Sequence, residues 1–100
     1  MTVSRDQLFQ TSKPKTLTHN SAVFGGEIKY HLCTVGEKGR ARKIATEPEG
    51  LNNEILEAAL MILCLEEPKL TELDLEAMKA LPAGEVATIA GLILGKSPKA

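Results

Sequence analysis

Residues 51–67 read LNNEILEAALMILCLEE, the most strongly periodic segment of this sequence. Apolar side chains recur there at intervals of three and four residues, which is the spacing of one helix face. Further apolar positions widen that face until little apart from glutamates remains polar. Pro68 follows directly, and the residue before a proline is pushed away from helical angles. The segment therefore predicts a central core helix that ends just before Pro68.

A two-residue period precedes this helix, in residues 16–35. Apolar positions alternate with polar ones there, and many of them are β-branched or aromatic. Gly25 and Gly26 can adopt the positive φ values that a two-residue hairpin turn requires. We therefore expect a β-hairpin that turns at the two glycines and needs apolar cover on one face. Its apolar positions are Leu17, Ala22, Val23, Phe24, Ile28, Tyr30 and Leu32.

Residues 37–46 fit either a short basic helix or a third strand. We favour a helix, because Ala41, Ile44 and Ala45 form a narrow apolar stripe while the basic groups face water. Pro48 and Gly50 end this segment.

Two shorter helices are expected after Pro68. Thr71 and Asp74 have the spacing of a capping box, and Pro82 suits the first position of the last helix. Gly95 ends that helix. The apolar faces of the two helices consist of Leu73, Leu75, Met78 and Leu81 in the first and Val86, Ile89, Ala90 and Ile93 in the second.

The order of elements predicts an α+β fold: an N-terminal β-hairpin or small antiparallel sheet followed by three to four α-helices packed on one face. We expect a single domain at residues 16–95, an N-terminal arm at residues 1–15 and a C-terminal tail at residues 96–100. Within the arm, Ser4 and Gln7 have capping-box spacing and predict at most one helical turn.

Composition narrows the class of protein. The chain has 100 residues, a formal net charge of −1 and 43% hydrophobic residues, as expected for one small domain. Its longest apolar run is interrupted by Glu57 and is too short to span a membrane. The N-terminus lacks the apolar run of a secretory signal, so we expect a cytoplasmic protein with Cys33 and Cys64 as free thiols.

No catalytic or cofactor motif is evident, and we expect neither enzymatic activity nor a cofactor. His31 and Cys33 lie one residue apart on a predicted strand and could point to the same side. No second pair has the spacing of metal ligands, so a metal site is not expected. Cys64 lies in the apolar helix, where a free cysteine behaves as a small buried hydrophobe.

Charge is distributed unevenly along the chain. Residues 1–46 carry eight basic and three acidic residues, whereas residues 47–100 carry four basic and ten acidic ones. Such polarity either favours head-to-tail association, and hence a homo-oligomer, or cancels when the two halves pack together.

The densest basic segment spans residues 38–43 and is the best candidate for a nucleic-acid contact. Four charges with no neighbouring aromatic residue are a weak signal, so we regard nucleic-acid binding as improbable. A small regulatory protein that binds nucleic acid through this segment is the alternative function. Its basic residues are Lys38, Arg40, Arg42 and Lys43.

The last helix has more apolar side chains than one core-facing side can hold, because Leu92, Ile93 and Leu94 are consecutive. Such a helix is either sandwiched within its own chain or docks against another chain. This surplus of apolar side chains on the last helix is the main indication that the protein binds another protein. The candidate partner-binding residues are Leu73, Met78, Ile89, Leu92, Ile93 and Leu94.

Three segments resemble the tail assembly chaperones of long-tailed phages and prophages. They read GEKGRARKI at residues 36–44, AALMILCLEEPKLTELDL at residues 58–75 and LPAGEVATIAGLILGKS at residues 81–97. Together with the early hairpin, the resemblance covers roughly residues 17–97, and none of the segments is a catalytic signature.

The resemblance implies a non-enzymatic protein that binds the tape measure protein and keeps it soluble while tail tube subunits polymerise around it. Members of the family act in the host bacterial cytoplasm, are absent from the mature virion and also recruit the tail tube protein. That recruitment often uses a longer form made by ribosomal frameshifting, for which Gly95-Lys96 marks a suitable position.

Overall fold

The computed structural model describes residues 2–10 and 15–95 and has the predicted α+β architecture, with a small antiparallel sheet followed by helices. The predicted tail, residues 96–100, and residues 11–14 of the predicted arm lie outside the described residues. The helices are α1 (Arg5–Gln10), α2 (Val35–Ala45), α3 (Asn53–Cys64), α4 (Leu75–Met78) and α5 (Ala83–Ile93), with a 3₁₀ turn at Glu72–Asp74. The strands are β1 (Leu17–Ser21), β2 (Gly26–Tyr30), β3 (Thr46–Glu47), β4 (Gly50–Leu51) and β5 (Leu65–Glu67).

The hairpin formed by β1 and β2 is confirmed, but its turn is longer than predicted. Ser21 pairs with Gly26, so residues 22–25 form a four-residue turn and Val23 and Phe24 are not in a strand. The Ser21 hydroxyl accepts a hydrogen bond from the backbone N–H of Phe24, which stabilises this wider turn. Of the two glycines expected to adopt positive φ, Gly25 does so, with a φ of 79°, whereas Gly26 begins β2 without one.

The core helix α3 ends earlier than predicted, at Cys64. The next residues leave helical angles and form β5, which pairs antiparallel with β2. Leu65 lies opposite Tyr30, and both side chains are buried. The extended backbone at residues 65–67 thus covers the edge of β2, which a longer helix would leave unpaired. This pairing gives a three-stranded sheet in the order β1-β2-β5.

Residues 37–46 are helical up to Ala45, as favoured, and the helix also includes Gly36 and Gly39. It begins with a capping box: the Thr34 hydroxyl accepts from the N–H of Glu37, and the Glu37 carboxylate accepts from the N–H of Thr34. The two-stranded ladder of β3 and β4 then connects α2 to α3.

Helix α3 is the centre of the core and packs against α2, α4 and α5. The side chains of Ala41 and Ala45 in α2 are fully buried, as expected from their small size at a close helix contact. From α5, Ile89 and Ile93 are fully buried as well. The sheet contributes Ile28 and Tyr30 to the same core cluster.

The last helix agrees closely with the expectations, whereas the one before it is shorter than predicted, with a 3₁₀ turn at Glu72–Asp74 and α-helix only at Leu75–Met78. The Asp74 carboxylate accepts a 2.8 Å hydrogen bond from the N–H of Thr71 at the start of the 3₁₀ turn. Pro82 is the N-cap of α5, one position before the predicted one, and Gly95 follows its end with a φ of 87°. In the arm, α1 begins with the predicted pairing of Ser4 and Gln7. None of the helices in the described part of the chain has the length and apolar character needed to cross a lipid bilayer.

Candidate functional site

The six candidate partner-binding residues fall into two groups. Met78, Ile89 and Ile93 are buried in the core, which corrects the expectation that they face a partner. The reason is that α5 turns these isoleucines towards α3, and Met78 is held in the same cluster. Leu92 is partly buried against that cluster. Leu73 is 94% exposed and Leu94 is 39% exposed, so only Leu73 lies largely on the surface and Leu94 is partly exposed.

An apolar groove lies between the hairpin turn and α3. It has a volume of about 320 Å³, and among its lining residues only Glu27 is charged. Phe24 at the turn is 38% exposed, while Ile28 and Met61 form part of the buried floor. We call this feature the hairpin groove. Its lining residues are Phe24, Gly26, Glu27, Ile28, Met61, Leu65, Pro68, Leu70 and Leu81.

A second groove of about 460 Å³ lies between α3, α4 and the start of α5. Three carboxylates line it, from Glu47, Glu54 and Glu57, together with the ammonium group of Lys79. Leu81 lines both grooves, so they adjoin each other on one side of the molecule. We call this feature the acidic groove. Its remaining lining residues are Asn52, Ile55, Ala58, Leu75, Met78, Ala83 and Val86.

The basic residues Lys38, Arg40, Arg42 and Lys43 are all exposed on α2. None of them forms an ion pair with another residue in the described ranges. Lys38 and Arg42 lie one helical turn apart, whereas Arg40 and Lys43 point in other directions. The four charges are therefore spread over the solvent side of the helix and do not form a single row.

A network of polar side chains surrounds His31, just after β2. Its Nε2 lies 2.8 Å from a carboxylate oxygen of Glu37, and its Nδ1 lies 3.0 Å from one of Glu66. The Cys64 thiol donates to Glu37 over 3.6 Å, and the hydroxyl of Thr16 donates to Glu66 over 2.5 Å. These contacts bring together β2, α2, α3 and β5.

The electrostatics of this network follow from burial and pairing. Burial lowers the pKa of His31, but the hydrogen bonds and charges of Glu37 and Glu66 outweigh it, so that the pKa of His31 is raised overall. Burial raises the pKa of Glu37, but its hydrogen bonds with Thr34 and His31 lower it overall. Burial, with neighbouring Cys33 and Glu37, raises the pKa of Cys64 far above its usual range. The network thus favours an imidazolium between two carboxylates and a protonated thiol.

The second histidine makes a smaller network. His19 lies 3.1 Å from the carboxylate of Glu85, which also accepts a 2.5 Å hydrogen bond from the hydroxyl of Ser21. The hydrogen bond from Ser21, followed by that of His19, lowers the pKa of Glu85 despite a partial burial. This contact fastens the hairpin to the first turn of α5.

Sequence reasoning missed two of these features. The Thr34-x-x-Glu37 spacing is a capping-box signal that would have placed Glu37 at the start of α2, near His31. No comparable sequence signal predicts that Glu66 lies next to His31 or that Leu70 and Phe24 line the same groove. Both arrangements depend on β5, which the sequence pattern assigned to a helix.

Comparisons of the chain with protein-family models, with curated proteins and with solved structures found no match.

Proposed function

We propose that this chain is a non-enzymatic phage tail assembly chaperone that binds the tape measure protein through the hairpin groove. The resemblance of residues 17–97 to that family motivates the proposal. The observation that carries it is the apolar lining of this groove, in which Phe24, Leu70 and Leu81 surround a floor of buried core residues.

A tape measure protein presents long helical segments with apolar faces, which would aggregate in water if they were left uncovered. Helices of this kind are recognised by laying apolar side chains, spaced three or four residues apart, into an apolar groove. The hairpin groove offers room for a few such side chains. Leu73 and Leu94 add separate exposed apolar side chains outside it.

The wider role follows from this binding. While the chaperone covers the tape measure in the host bacterial cytoplasm, tail tube subunits are recruited and replace it, so that the chaperone is absent from the mature virion. A longer, frameshifted form would carry the contact with the tail tube protein.

A titration with fluorescent helical peptides from a phage tape measure protein tests the proposal. We expect saturable binding that changes little with salt, because apolar contacts dominate it. Phe24→Asp places a charge in the groove and should weaken binding by about tenfold or more. Val35→Asp is the matched control, since Val35 is 92% exposed and does not line the groove. Equal binding by the wild type and Phe24→Asp would contradict the proposal.

The alternative is a nucleic-acid-associated regulator that uses α2. The exposure of Lys38, Arg40, Arg42 and Lys43, without ion-pair partners in the described ranges, favours it. Binding to duplex DNA should then fall steeply as salt is raised, because phosphate contacts release counterions. Absence of DNA binding at low salt would remove this alternative.

A further inference from the structure

Three side chains of the kinds that bind zinc meet where three elements converge. His31 follows β2, Glu37 lies in the first turn of α2, and Cys64 ends α3. One nitrogen, one oxygen and one sulfur atom of these residues lie within 4.8 Å of one another. We propose that His31, Glu37 and Cys64 form a binding site for Zn²⁺ or a divalent cation of similar chemistry.

The distances fit this proposal. Around a tetrahedral zinc ion, with bonds of about 2.0–2.3 Å, neighbouring donor atoms lie about 3.4–3.6 Å apart. The 3.6 Å separation of the Cys64 sulfur from Oε1 of Glu37 agrees with this value, and Nε2 of His31 lies 2.8 Å from the other oxygen, Oε2, of the same carboxylate. All three donor atoms lie within 4.8 Å of one another, so modest side-chain movements admit the ion. It replaces the two hydrogen bonds that now join these side chains.

The surroundings of His31 provide the outer support that a zinc ligand needs. Metal-binding histidines commonly donate their second ring N–H to a carboxylate, which fixes the tautomer and orients the ring. Glu66 lies 3.0 Å from Nδ1 of His31, and Thr16 holds that carboxylate in turn. Nε2 of His31 is then the atom that faces Glu37, Cys64 and the ion.

The donor set decides which cations bind. A thiolate and an imidazole suit zinc and neighbouring transition metals, whereas magnesium and calcium prefer oxygen ligands. On binding, the Cys64 thiol and Nε2 of His31 give their protons to water, and Zn–S, Zn–N and Zn–O bonds form. These three residues would fill three of the four positions of a tetrahedral zinc site.

The sequence did not indicate this site, because no two of its proposed ligands have the short spacing of a metal-binding motif. His31 and Cys33 were considered as a pair, yet the structure joins His31 to Cys64, far along the chain. The other histidine provides an internal comparison. His19 also faces a carboxylate, that of Glu85, but Ser21 stands there in place of a cysteine.

Titration of the metal-free, reduced full chain with Co²⁺ and Zn²⁺ tests the site. Cobalt should give one equivalent of binding with a thiolate-to-metal charge-transfer absorption, and zinc should displace it. Magnesium should not. Zinc at 100 times its dissociation constant should raise the ratio of folded to unfolded protein about 100-fold.

Variants separate the proposed ligands from their neighbours. Glu37→Gln keeps the capping box, because glutamine also serves at that position, but removes the anionic ligand. Changing a residue that supports a metal ligand typically weakens metal binding by roughly 10- to 100-fold. His31→Gln and Glu37→Gln should each weaken zinc binding by at least that much. Cys64→Ala should abolish the charge-transfer absorption. His19→Gln, the matched control, should leave both readouts unchanged.

Several results would overturn the proposal. One is a wild type that does not acquire the charge-transfer absorption. The others are a Cys64→Ala variant that retains it and a His19→Gln variant that weakens binding as much as His31→Gln. If Cys64→Ala does not fold, judged by circular dichroism, Glu37→Gln decides: unchanged zinc affinity in that variant contradicts the site.

Discussion

The backbone N–H of Cys33 donates a 2.8 Å hydrogen bond to the carbonyl oxygen of Ile93. This bond joins the segment after β2 to the last turn of α5, two segments that lie far apart in the sequence. It holds the end of α5 next to the segment that follows β2, and the Ile93 side chain is fully buried there. For this reason the C-terminal apolar residues contribute more to the core of this chain than to a partner surface.

Ile89→Ala should destabilise the protein by about 2–5 kcal/mol, because Ile89 is fully buried where α5 packs on α3 and its loss leaves a cavity. Leu94→Ala, at a position that is 39% exposed, should cost less than about 1 kcal/mol. Urea unfolding followed by circular dichroism measures both values. Similar losses for the two variants would contradict the assignment of Ile89 to the core.

Thr34→Ala should destabilise the protein by about 0.5–2 kcal/mol, because it removes the hydroxyl that caps α2 at the N–H of Glu37. Thr34→Ser retains that hydroxyl and serves as the control. Thermal unfolding of the two variants beside the wild type measures the difference. A Ser variant as unstable as the Ala variant would show that the methyl group, and not the cap, matters.

Gly25→Ala should cost about 1–2 kcal/mol, because Gly25 has a φ of 79° and a side chain disfavours that left-handed backbone. Gly26→Ala is the control, since Gly26 does not have a positive φ and an added methyl group meets open space. Chemical denaturation should show a smaller loss for Gly26→Ala. The reverse order would contradict the geometry of the four-residue turn.

Glu85→Gln should change how stability depends on pH. The pKa of Glu85 is lowered in the folded state by Ser21 and His19, from an ordinary value of 4.5. Its ionised form therefore stabilises the fold above about pH 4.5, and this contribution is lost as pH falls through the lowered pKa. Wild type and Glu85→Gln should differ most near neutral pH and converge in acid. Urea unfolding across this range measures the difference, and a constant difference at all pH values would contradict it.

The sequence predicted the elements whose signals are local. The period of residues 51–67 predicted α3, the alternation around Ile28 and Tyr30 predicted the hairpin, and Gly95 predicted the end of α5. Each depends on patterns within a few neighbouring residues. These signals were sufficient for the α+β class.

The features that the sequence did not predict depend on contacts between distant segments. Residues 65–67, Leu-Glu-Glu, follow α3 without a local strand signal, so only their pairing with β2 identifies them as a strand. The same pairing brings Glu66 to His31 and forms one wall of the hairpin groove. The burial of side chains on α5 likewise depends on how this helix packs against α3. Ile89 and Ile93 are fully buried there, whereas Leu94 is partly exposed.

Co-expression with a phage tape measure protein tests the proposed role most directly, by the fraction of tape measure that stays soluble. If the proposed role is correct, the wild type and Val35→Asp keep it soluble and Phe24→Asp does not, although all three proteins fold. A tape measure that is equally soluble with Phe24→Asp, or equally insoluble with the wild type and without any chaperone, would contradict the account.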